Sequence, residues 1–280
     1  MKHSEVKILC QISDKDFRLH HGSRTNPTAA AGDFTPHLHE CWELLFFLRG
    51  NMTHRIEGKS YRLRRGDLVL TRPSVFHQIL PEDDSIYERY NAVIDDALIP
   101  DNIRERIPKE VEVFSFGDNW RVFELFEKLD SYIEKADEEA ARIIVKSTLI
   151  EVLFLLTLEG EYTVGHTSKN PLVDKALTYV DEHLTTLESV EEIADAIYIT
   201  KSHLHHLFIS HLGVTPKQYI TSKRLLLARK LIRQGVGSTA AAREVGYNDY
   251  ATFYRNYKKH LGYSPSEELT EYFADGEDNI

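Results

Sequence analysis

The spacing of the apolar residues changes once along this chain, and that change limits what it can fold into. Up to Phe116 the chain reads as short β-type segments such as Trp42–Leu48, Met52–Ile56 and Asp67–Thr71, separated by turn residues. From Asn119 onward the apolar residues recur at helical spacing. A β half followed by a helical half predicts an α+β chain of two domains, and 280 residues are enough for two cores.

The pattern divides the chain into four parts. Residues 1–116 should form a barrel of short strands, and residues 117–160 two helices. Residues 161–170 are polar and lie between Gly160 and a proline, so they are expected to be a linker. Residues 171–280 are predicted to be all helix. The second of the two middle helices carries an apolar stripe of Leu149, Val152, Leu153 and Leu156.

Charge is distributed very unevenly. The whole chain has a net charge of -10, but between Tyr198 and Tyr263 eleven lysines and arginines face only Glu244 and Asp249. That segment carries +9 and the remainder −19. Five histidines of the basic segment, at positions 203, 205, 206, 211 and 260, can add charge below about pH 6.5. A basic helical segment in an acidic chain favours double-stranded DNA as partner over a merely solvated helix face.

The basic segment begins with a helix-turn-helix pattern. Ser189 and Glu192 form a predicted capping box, which fixes where a short helix begins. A tight turn follows near Tyr198, and the next helix has an apolar side made of Leu204, Leu207 and Phe208. Its opposite face offers side chains that can donate to bases and phosphates. These are Lys201, Ser202, His205 and His206.

The same pattern recurs after a long connecting helix. Phe253, Tyr257 and Leu261 should seat the second recognition helix, whose outward residues are Tyr250, Ala251, Tyr254, Arg255, Lys258 and Lys259. Arg255 can bind guanine in bidentate fashion. The connecting helix, about 19 residues and about 28 Å long, nearly matches one turn of DNA, so both recognition helices can enter successive major grooves. Its cations, expected near the DNA backbone, are Lys217, Lys223, Arg224, Lys230 and Arg233.

Over about 100 residues the C-terminal part resembles the AraC/XylS regulators. The matching positions are Gly213, Pro216, Tyr219, Arg224, Leu225, Ala228, Gly246, Tyr247, Phe253, Tyr257, Lys258, Gly262, Ser264 and Pro265. The resemblance implies that Ser202, His205 and His206 read bases in the first unit, and Tyr250, Ala251, Tyr254 and Arg255 in the second. The departures are Ile209 in place of a lysine, Ser238 and Ala241 in place of isoleucines, and Glu268 and Leu269 in place of an arginine. We therefore expect looser packing in the second unit and the loss of one phosphate contact.

The strand-rich half carries a group of histidines around an acid. The motif consists of His37, His39, Glu43 and Gly50, followed by Gly66, Asp67, Pro73 and His77. It resembles the two cupin motifs, with Arg72 and Ser74 where proline and glycine are usual, and this implies a small double-stranded β-helix. On a strand, residues an even number of steps apart share a face, so His37, His39 and Glu43 should converge. With His77 they offer three imidazoles and one carboxylate, which can hold iron, manganese, nickel or zinc.

The same residues can also line an effector pocket without any metal. By the resemblance, barrels of this kind bind a sugar or another small metabolite, and no cofactor is required. We therefore predict an effector-binding set of His37, His39, Glu43, His77 and Trp42, with a divalent metal as the alternative. Trp42, Phe46 and Phe76 can stack on a sugar ring, although aromatic residues in a barrel are more often part of its core.

The middle helices leave two interpretations open. By the resemblance they pair two subunits into a homodimer, which doubles the DNA footprint. The alternative is that their apolar stripe packs on the outside of the chain's own barrel. Periodicity does not separate these two arrangements.

Taken together, these features predict a transcription regulator that is not an enzyme. By the resemblance it is an activator that contacts RNA polymerase. The alternatives are a metal-dependent cupin enzyme with a DNA-binding tail, and a constitutive DNA-binding protein whose barrel is only a dimerisation scaffold. Cys10 and Cys41 suggest neither a disulfide framework nor a zinc site, and no segment suggests export or a membrane, so we expect a cytoplasmic protein.

Overall fold

The computed structural model of the protein describes residues 3–158, 160, 162–165 and 170–268. Within these ranges the N-terminal half is an antiparallel β-sandwich and the C-terminal half is helical, which confirms the predicted α+β class. The strands are β1 (Glu5–Asp14), β2 (Phe17–Thr25), β3 (Trp42–Arg49), β4 (Met52–Ile56), β5 (Lys59–Arg62), β6 (Asp67–Thr71), β7 (His77–Pro81), β8 (Tyr87–Ile94), β9 (Val113–Ser115) and β10 (Thr163–Val164).

In the described part of the chain these strands form a large and a small sheet. The large sheet has the order β1-β2-β8-β3-β6-β9-β10, and the small one the order β5-β4-β7. Because side chains alternate along a strand, β3 sends Glu43, Leu45 and Phe47 toward the small sheet and Leu44 and Phe46 to the other face. The large sheet thus has an inner face inside the sandwich and an outer face that needs its own cover.

Two helices, α2 (Trp120–Lys135) and α3 (Glu138–Leu155), cover that outer face; a short helix, α1 (Asp101–Arg104), precedes them. Phe126 of α2 stacks on Phe46 with ring centroids 4.5 Å apart. The predicted stripe of α3 and its following turn is fully buried against the same sheet: it comprises Leu149, Val152, Leu153 and Leu156. The stripe therefore packs on the chain's own barrel, the second of the two arrangements considered above, and an interface between subunits has to use other residues.

The predicted linker is partly structured. Thr163–Val164 pairs with Val113–Ser115 as the last strand of the large sheet, so these residues belong to the sandwich. Residues 161 and 166–169 of the predicted linker lie outside the described residues. Two of the ten residues of the predicted linker, Thr163 and Val164, therefore belong to a strand of the large sheet.

The C-terminal half consists of helices, most of which begin at a polar capping side chain. They are α4 (Pro171–His183), α5 (Val190–Ala196), α6 (Lys201–Leu212), α7 (Pro216–Arg233), α8 (Ser238–Glu244) and α9 (Tyr250–Leu261). The capping box predicted at Ser189 and Glu192 is present at the start of α5, and Thr215 with Gln218 forms a second one at α7. No helix within the described ranges is long and apolar enough to span a membrane.

Each half of this helical domain has its own apolar cluster. Leu204, Leu207 and Phe208 of α6 pack with α4 and α5, whereas Phe253 and Tyr257 of α9 pack against α7 and α8. These are the seating residues expected from the helical spacing. Two helix-turn-helix units, α5 with α6 and α8 with α9, are thus held at opposite ends of α7.

The departures from the family pattern have visible consequences in the second unit. Ala241 is fully buried, and the Ser238 hydroxyl lies 3.0 Å from the Tyr250 hydroxyl. Glu268 stands where an arginine is usual, and it accepts hydrogen bonds from Nε of both Arg229 and Arg233 at 2.9 Å. The residue that replaces a cation therefore neutralises two others. Leu269 lies outside the described residues.

Candidate DNA interface and effector pocket

The first recognition helix, α6, exposes the face that the sequence assigned to DNA. Lys201, Ser202, His205 and His206 are all exposed. The Thr200 hydroxyl caps the helix by accepting from the His203 amide at 3.2 Å, so its N-terminal turn is fixed before any DNA binds. Lys201 is paired with Glu191 of the preceding helix. Its ammonium therefore needs to leave that carboxylate, or share it, to reach a phosphate.

The second recognition helix, α9, is arranged in the same way. Tyr250, Ala251, Tyr254, Arg255, Lys258 and Lys259 are exposed. The Asp249 carboxylate caps the helix through the amides of Ala251 and Thr252, and also accepts from the Thr252 hydroxyl at 2.6 Å. That hydroxyl in turn accepts a hydrogen bond from Arg255 Nη2 at 3.0 Å. The guanidinium expected to read a base is thus oriented by the helix cap.

Arg224 differs from the other proposed DNA contacts. Its Nε donates to the carbonyl of Leu184 at 2.7 Å, its Nη2 to that of Leu187 at 2.6 Å, and its Nη1 to that of Gly246 at 3.2 Å. These bonds use the donors that a phosphate would need and tie the first unit to the turn of the second. We therefore assign Arg224 a structural role instead of the DNA contact expected from the sequence.

Two other cations of α7 also have partners within the chain, in both cases carboxylates of the sandwich half. Lys223 lies 3.3 Å from Glu57 of the sandwich, and Arg233 lies 3.0 Å from Glu40. The sequence gives no direct sign of these partners, because they are more than 160 positions away in the chain.

One exposed residue near the DNA face was not singled out by the sequence pattern. Tyr198, in the turn between α5 and α6, is 94% exposed and has a φ of 61°, a left-handed conformation uncommon for residues other than glycine. Strained backbone of this kind persists where neighbouring structure enforces it, often at functional sites. The phenol therefore stands beside the first recognition helix as an additional candidate contact.

The four residues of the cupin-like motif meet at one point. One ligand atom from each of His37, His39, Glu43 and His77 lies within 4.8 Å of the others. Glu43 Oε2 is at the centre, 3.0 Å from His39 Nε2 and 2.9 Å from His77 Nε2. Burial alone raises the pKa of Glu43, but the two imidazoles hold that pKa well below its ordinary value. Burial alone lowers the pKa of His77, but the charge of Glu43 raises it above its ordinary value.

The other ring nitrogen of each histidine faces a backbone carbonyl. His37 Nδ1 is 3.0 Å from the oxygen of Thr35, His39 Nδ1 is 2.9 Å from that of Cys41, and His77 Nδ1 is 3.0 Å from that of Val75. A carbonyl only accepts, so each Nδ1 must carry the proton, and the Nε2 of a neutral ring is then an acceptor.

This arrangement makes the site a good receptor for a cation. His39 and His77 both aim Nε2 at one carboxylate, so with each Nδ1 donating to a carbonyl, the lone pairs of two neutral rings and of the carboxylate face one another unless a proton or a cation lies between them. A divalent metal satisfies the Nε2 lone pairs and the carboxylate at once, with the carbonyls fixing the rings from behind. The donor set of the four residues therefore fits a transition metal.

Two details of the predicted pocket need correction. His37 and His39 precede β3 instead of lying on it, and His37 reaches the cluster through an isolated bridge with His77. Trp42 lies on the outer face of the large sheet, where its Nε1 donates to Asp96 at 2.8 Å. Because side chains alternate along β3, Trp42 and Phe46 face the helices and Glu43 faces the interior. Trp42 and Phe46 therefore do not line the pocket.

The sandwich interior contains further polar residues that the motif did not indicate. His20, Arg89 and Asn91 lie on the inner face of β2 and β8, because their neighbours of opposite parity, Leu19 and Tyr90, pack under the helices. His20 and Arg89 are buried. Single polar residues within strands carry little signal in a sequence, and only the sheet register shows that they share a face.

The sandwich also contacts the helical domain directly. Glu57, at the tip of the β4–β5 hairpin, accepts hydrogen bonds from the Tyr219 hydroxyl at 2.7 Å and from the Phe76 amide at 3.0 Å. The rings of Phe76 and Tyr219 stack with centroids 4.9 Å apart. Phe76 directly precedes His77, so this contact joins the histidine cluster to α7. We call Glu57, Phe76, Tyr219 and Lys223 the interdomain contact.

Two protein-family models match different parts of the chain. Residues 27–153 match the AraC-like ligand binding domain, and residues 193–270 match a helix-turn-helix domain family. A XylDLEGF operon transcriptional activator of Pseudomonas putida is 23% identical over 85% of this chain and 77% of its own length. The activator RhaS of Escherichia fergusonii is 23% identical over 86% and 89%, and the lactose operon transcription activator of Staphylococcus xylosus 25% identical over 78% and 80%.

Parts of this chain also align with solved structures. A ToxT variant of Vibrio cholerae aligns over 95% of this chain and 97% of its own, with 12% identity and a TM-score of 0.40. The DNA-binding domain of AdpA, in complex with a target DNA, aligns over 35% of this chain and 88% of its own, with 25% identity and a TM-score of 0.33.

A ligand-binding sandwich joined to two helix-turn-helix units defines an effector-responsive DNA-binding regulator. The chain belongs to the AraC family of transcription activators, as the resemblance predicted. Since these relatives are activators, the cupin-enzyme alternative does not apply.

Proposed function

We propose that the protein activates transcription from a promoter that it reads with α6 and α9, under the control of a ligand bound among His37, His39, Glu43 and His77. The main support is the combination of two capped, exposed recognition helices with a largely buried polar cluster, next to which Phe76 stacks on Tyr219 of the helix between them. Bases are read by Ser202, His205 and His206 in the first unit and by Tyr250, Ala251, Tyr254 and Arg255 in the second. Lys201, Lys258 and Lys259 supply phosphate contacts.

The proposal also concerns the kind of ligand that the sandwich binds. A sugar was the first expectation, but its stacking partner Trp42 faces the helices. The paired demands of His39 and His77 on Glu43 favour a divalent metal, alone or as the binding point of a small molecule. The four residues would hold the metal, which would supply a fixed positive charge and open coordination positions for the effector.

We further propose a homodimer acting with RNA polymerase in the cytoplasm. The buried stripe of α3 packs on its own sandwich, but the opposite side of that helix carries exposed apolar side chains, with Ile143 60% and Phe154 40% exposed. Pairing two copies through this side would place four recognition helices on one promoter.

The experiment that tests the proposal combines DNA mapping with one double variant. Genomic sites bound by the wild-type protein are identified and used as DNA probes, and metal content and DNA affinity are measured for wild type and for H37A/H39A. We expect the variant to bind no metal, to keep its DNA affinity and to lose the response to Zn²⁺ or Mn²⁺. A double variant that responds like wild type would place the effector elsewhere, and a wild type without preferred sites would refute DNA reading.

A further inference from the structure

Inside the sandwich, Arg89 occupies an unusual position for an arginine. It lies on the inner face of β8, paired with Gly22 of β2 on one side and Phe47 of β3 on the other, and it is only 7% exposed. A Cβ on residue 22 would come within 3.2 Å of Arg89 Nη1, so the glycine leaves room for the guanidinium. The charged group is thus built into the core side of the sheet.

No acidic side chain in the described part of the chain pairs with this guanidinium. Among the described residues, no carboxylate lies within 4.0 Å of the Arg89 guanidinium and no hydrogen bond from it is found; its contact is with the ring of Tyr87, 4.7 Å away. Arg24, buried on the same face, instead binds Asp33 at 2.8 Å. Burying a cation without a partner costs folding free energy, and proteins keep such a cation mainly where a bound ligand supplies the opposite charge.

Two neighbouring groups are unsatisfied as well. His20 Nε2 and Asn91 Oδ1 are buried without a hydrogen-bond partner, and these two residues are directly paired across β2 and β8. Asn91 is one pleat from Arg89 on the same strand face. Burial, together with the charge of Arg89, lowers the pKa of His20 to about 3, so its ring is neutral and offers one donor and one acceptor.

We propose that the Arg89 guanidinium and an N–H of His20 bind a carboxylate group of the effector, while Asn91 Oδ1 accepts a hydrogen bond from a donor elsewhere on the same molecule. This deepens the proposed function and rests on it. The planar guanidinium matches a carboxylate in bidentate fashion, and one unpaired cation matches a single negative charge. A phosphate dianion would require a second free cation, and the neighbouring Arg24 already binds Asp33.

The position of Arg89 also sets the size of the effector. On β3, Phe47 is paired with Arg89, and Glu43 belongs to the histidine cluster. Four steps along the strand, about 13 Å, separate these two positions. The effector is therefore a carboxylic acid whose other end reaches the His37, His39, Glu43 and His77 cluster, with His20 and Asn91 between.

The test uses thermal unfolding of the full chain with the smallest carriers of the group. Formate, acetate and benzoate are the probes, and formamide, acetamide and benzamide are their neutral counterparts. We expect the carboxylates to raise the Tm of wild type by about 2–4 °C at concentrations ten times Kd, and the amides to have no such effect. R89M should lose the carboxylate shift. Without any probe, it should melt at or above the wild-type temperature, because an unpaired charge has been removed.

R72M is the matched control. Arg72 donates to the carbonyls of Pro108 and Val111, at 2.6 and 3.1 Å, so its loss should lower the Tm while the carboxylate shift remains. The proposal is overturned if R89M melts lower, as R72M does, or if wild type and R89M respond equally to the carboxylates. If H37A/H39A loses the metal response as expected, but R89M shows the same carboxylate shift as wild type, the carboxylate subsite is refuted and the proposed function stands. Loss of preferred DNA sites would instead refute the proposed function.

Discussion

Tyr219, on the helix between the two helix-turn-helix units, donates a hydrogen bond to Glu57 at the tip of a sandwich hairpin, with 2.7 Å between the oxygens. Glu57 and Gly58 both have positive φ, 45° and 77°, which is the two-residue hairpin turn where asparagine and glycine are preferred. A glutamate there carries strain. Its contacts with Tyr219, Lys223 and Phe76 offset that strain. Glutamate at this turn is therefore explained by the contact between the two domains and not by the needs of the hairpin.

Replacing Glu57 by asparagine separates these two roles. We expect E57N to keep the stability of the sandwich, because asparagine suits the turn, and to lose the bonds to Tyr219 and Lys223. Release of Lys223 and of the acidic sandwich from α7 should raise DNA affinity about fivefold in the absence of effector and reduce the effector's influence, a coupling of about 1 kcal/mol. Anisotropy titrations with and without metal measure both quantities.

Y219F is the companion variant, since it removes the same hydrogen bond and keeps the ring that stacks on Phe76. It should shift DNA affinity in the same direction by a smaller factor. Unchanged affinity and unchanged response in both variants would show that the interdomain contact does not transmit the signal.

Arg255 provides the test of base reading. Its guanidinium is exposed and is oriented through the Thr252 hydroxyl. R255A should cost about 1–3 kcal/mol at one base pair of the site and relax the preference there. Affinities for a set of single-base variants of the mapped site measure this. K259A, on the same helix, should weaken binding to all of these sequences alike, and an R255A protein with the wild-type base preference would refute the assignment.

Arg224 separates a structural role from a phosphate contact. R224A leaves the carbonyls of Leu184, Leu187 and Gly246 without their donor, which should reduce stability by about 1–3 kcal/mol. DNA affinity should fall, but the slope of log K against log salt concentration should stay the same. K258A should reduce that slope by about 1, as expected for a lost phosphate contact. If R224A also reduces the salt slope by about 1, Arg224 contacts a phosphate, as the sequence predicted.

Much of the site could be predicted because local patterns determine it. The seating residues Phe208 and Phe253 lie at helical spacing, so the exposed faces of α6 and α9 follow from periodicity alone. The histidine cluster was found because its spacing is distinctive. Trp42 was misassigned because the order of His39, Trp42 and Glu43 does not show which face a residue takes once the strand begins only at position 42.

Long-range partners could not be predicted from the sequence. Arg224, Lys223 and Arg233 all looked like DNA-facing cations, and their carbonyl or carboxylate partners became evident only when the chain was folded. Arg89 is the opposite case, since an unpaired charge is recognisable only after every neighbour is known. Electrostatic roles therefore depend on tertiary structure much more than helix faces do.

The last prediction concerns His20 and pH. Burial first, then the positive charges of Arg89 and Arg18 and contributions from His21, lower its pKa to about 3, while Glu43 acts in the opposite direction. The ordinary value of 6.5 applies in the unfolded chain. As pH falls below 6.5, the unfolded state therefore takes up a proton that the folded state does not, and stability decreases by up to about 1.4 kcal/mol per pH unit.

H20Q removes this proton uptake, so its free energy of unfolding should fall less steeply between pH 6.5 and 5 than that of wild type. Urea unfolding at pH 7, 6 and 5 measures the difference, with H260Q on the surface of α9 as the control for losing a histidine. Parallel pH profiles of wild type and H20Q would mean that His20 is protonated in the folded protein. In that case the interior beside Arg89 would already tolerate a second positive charge, and the argument that its cation lacks a partner would fail with it.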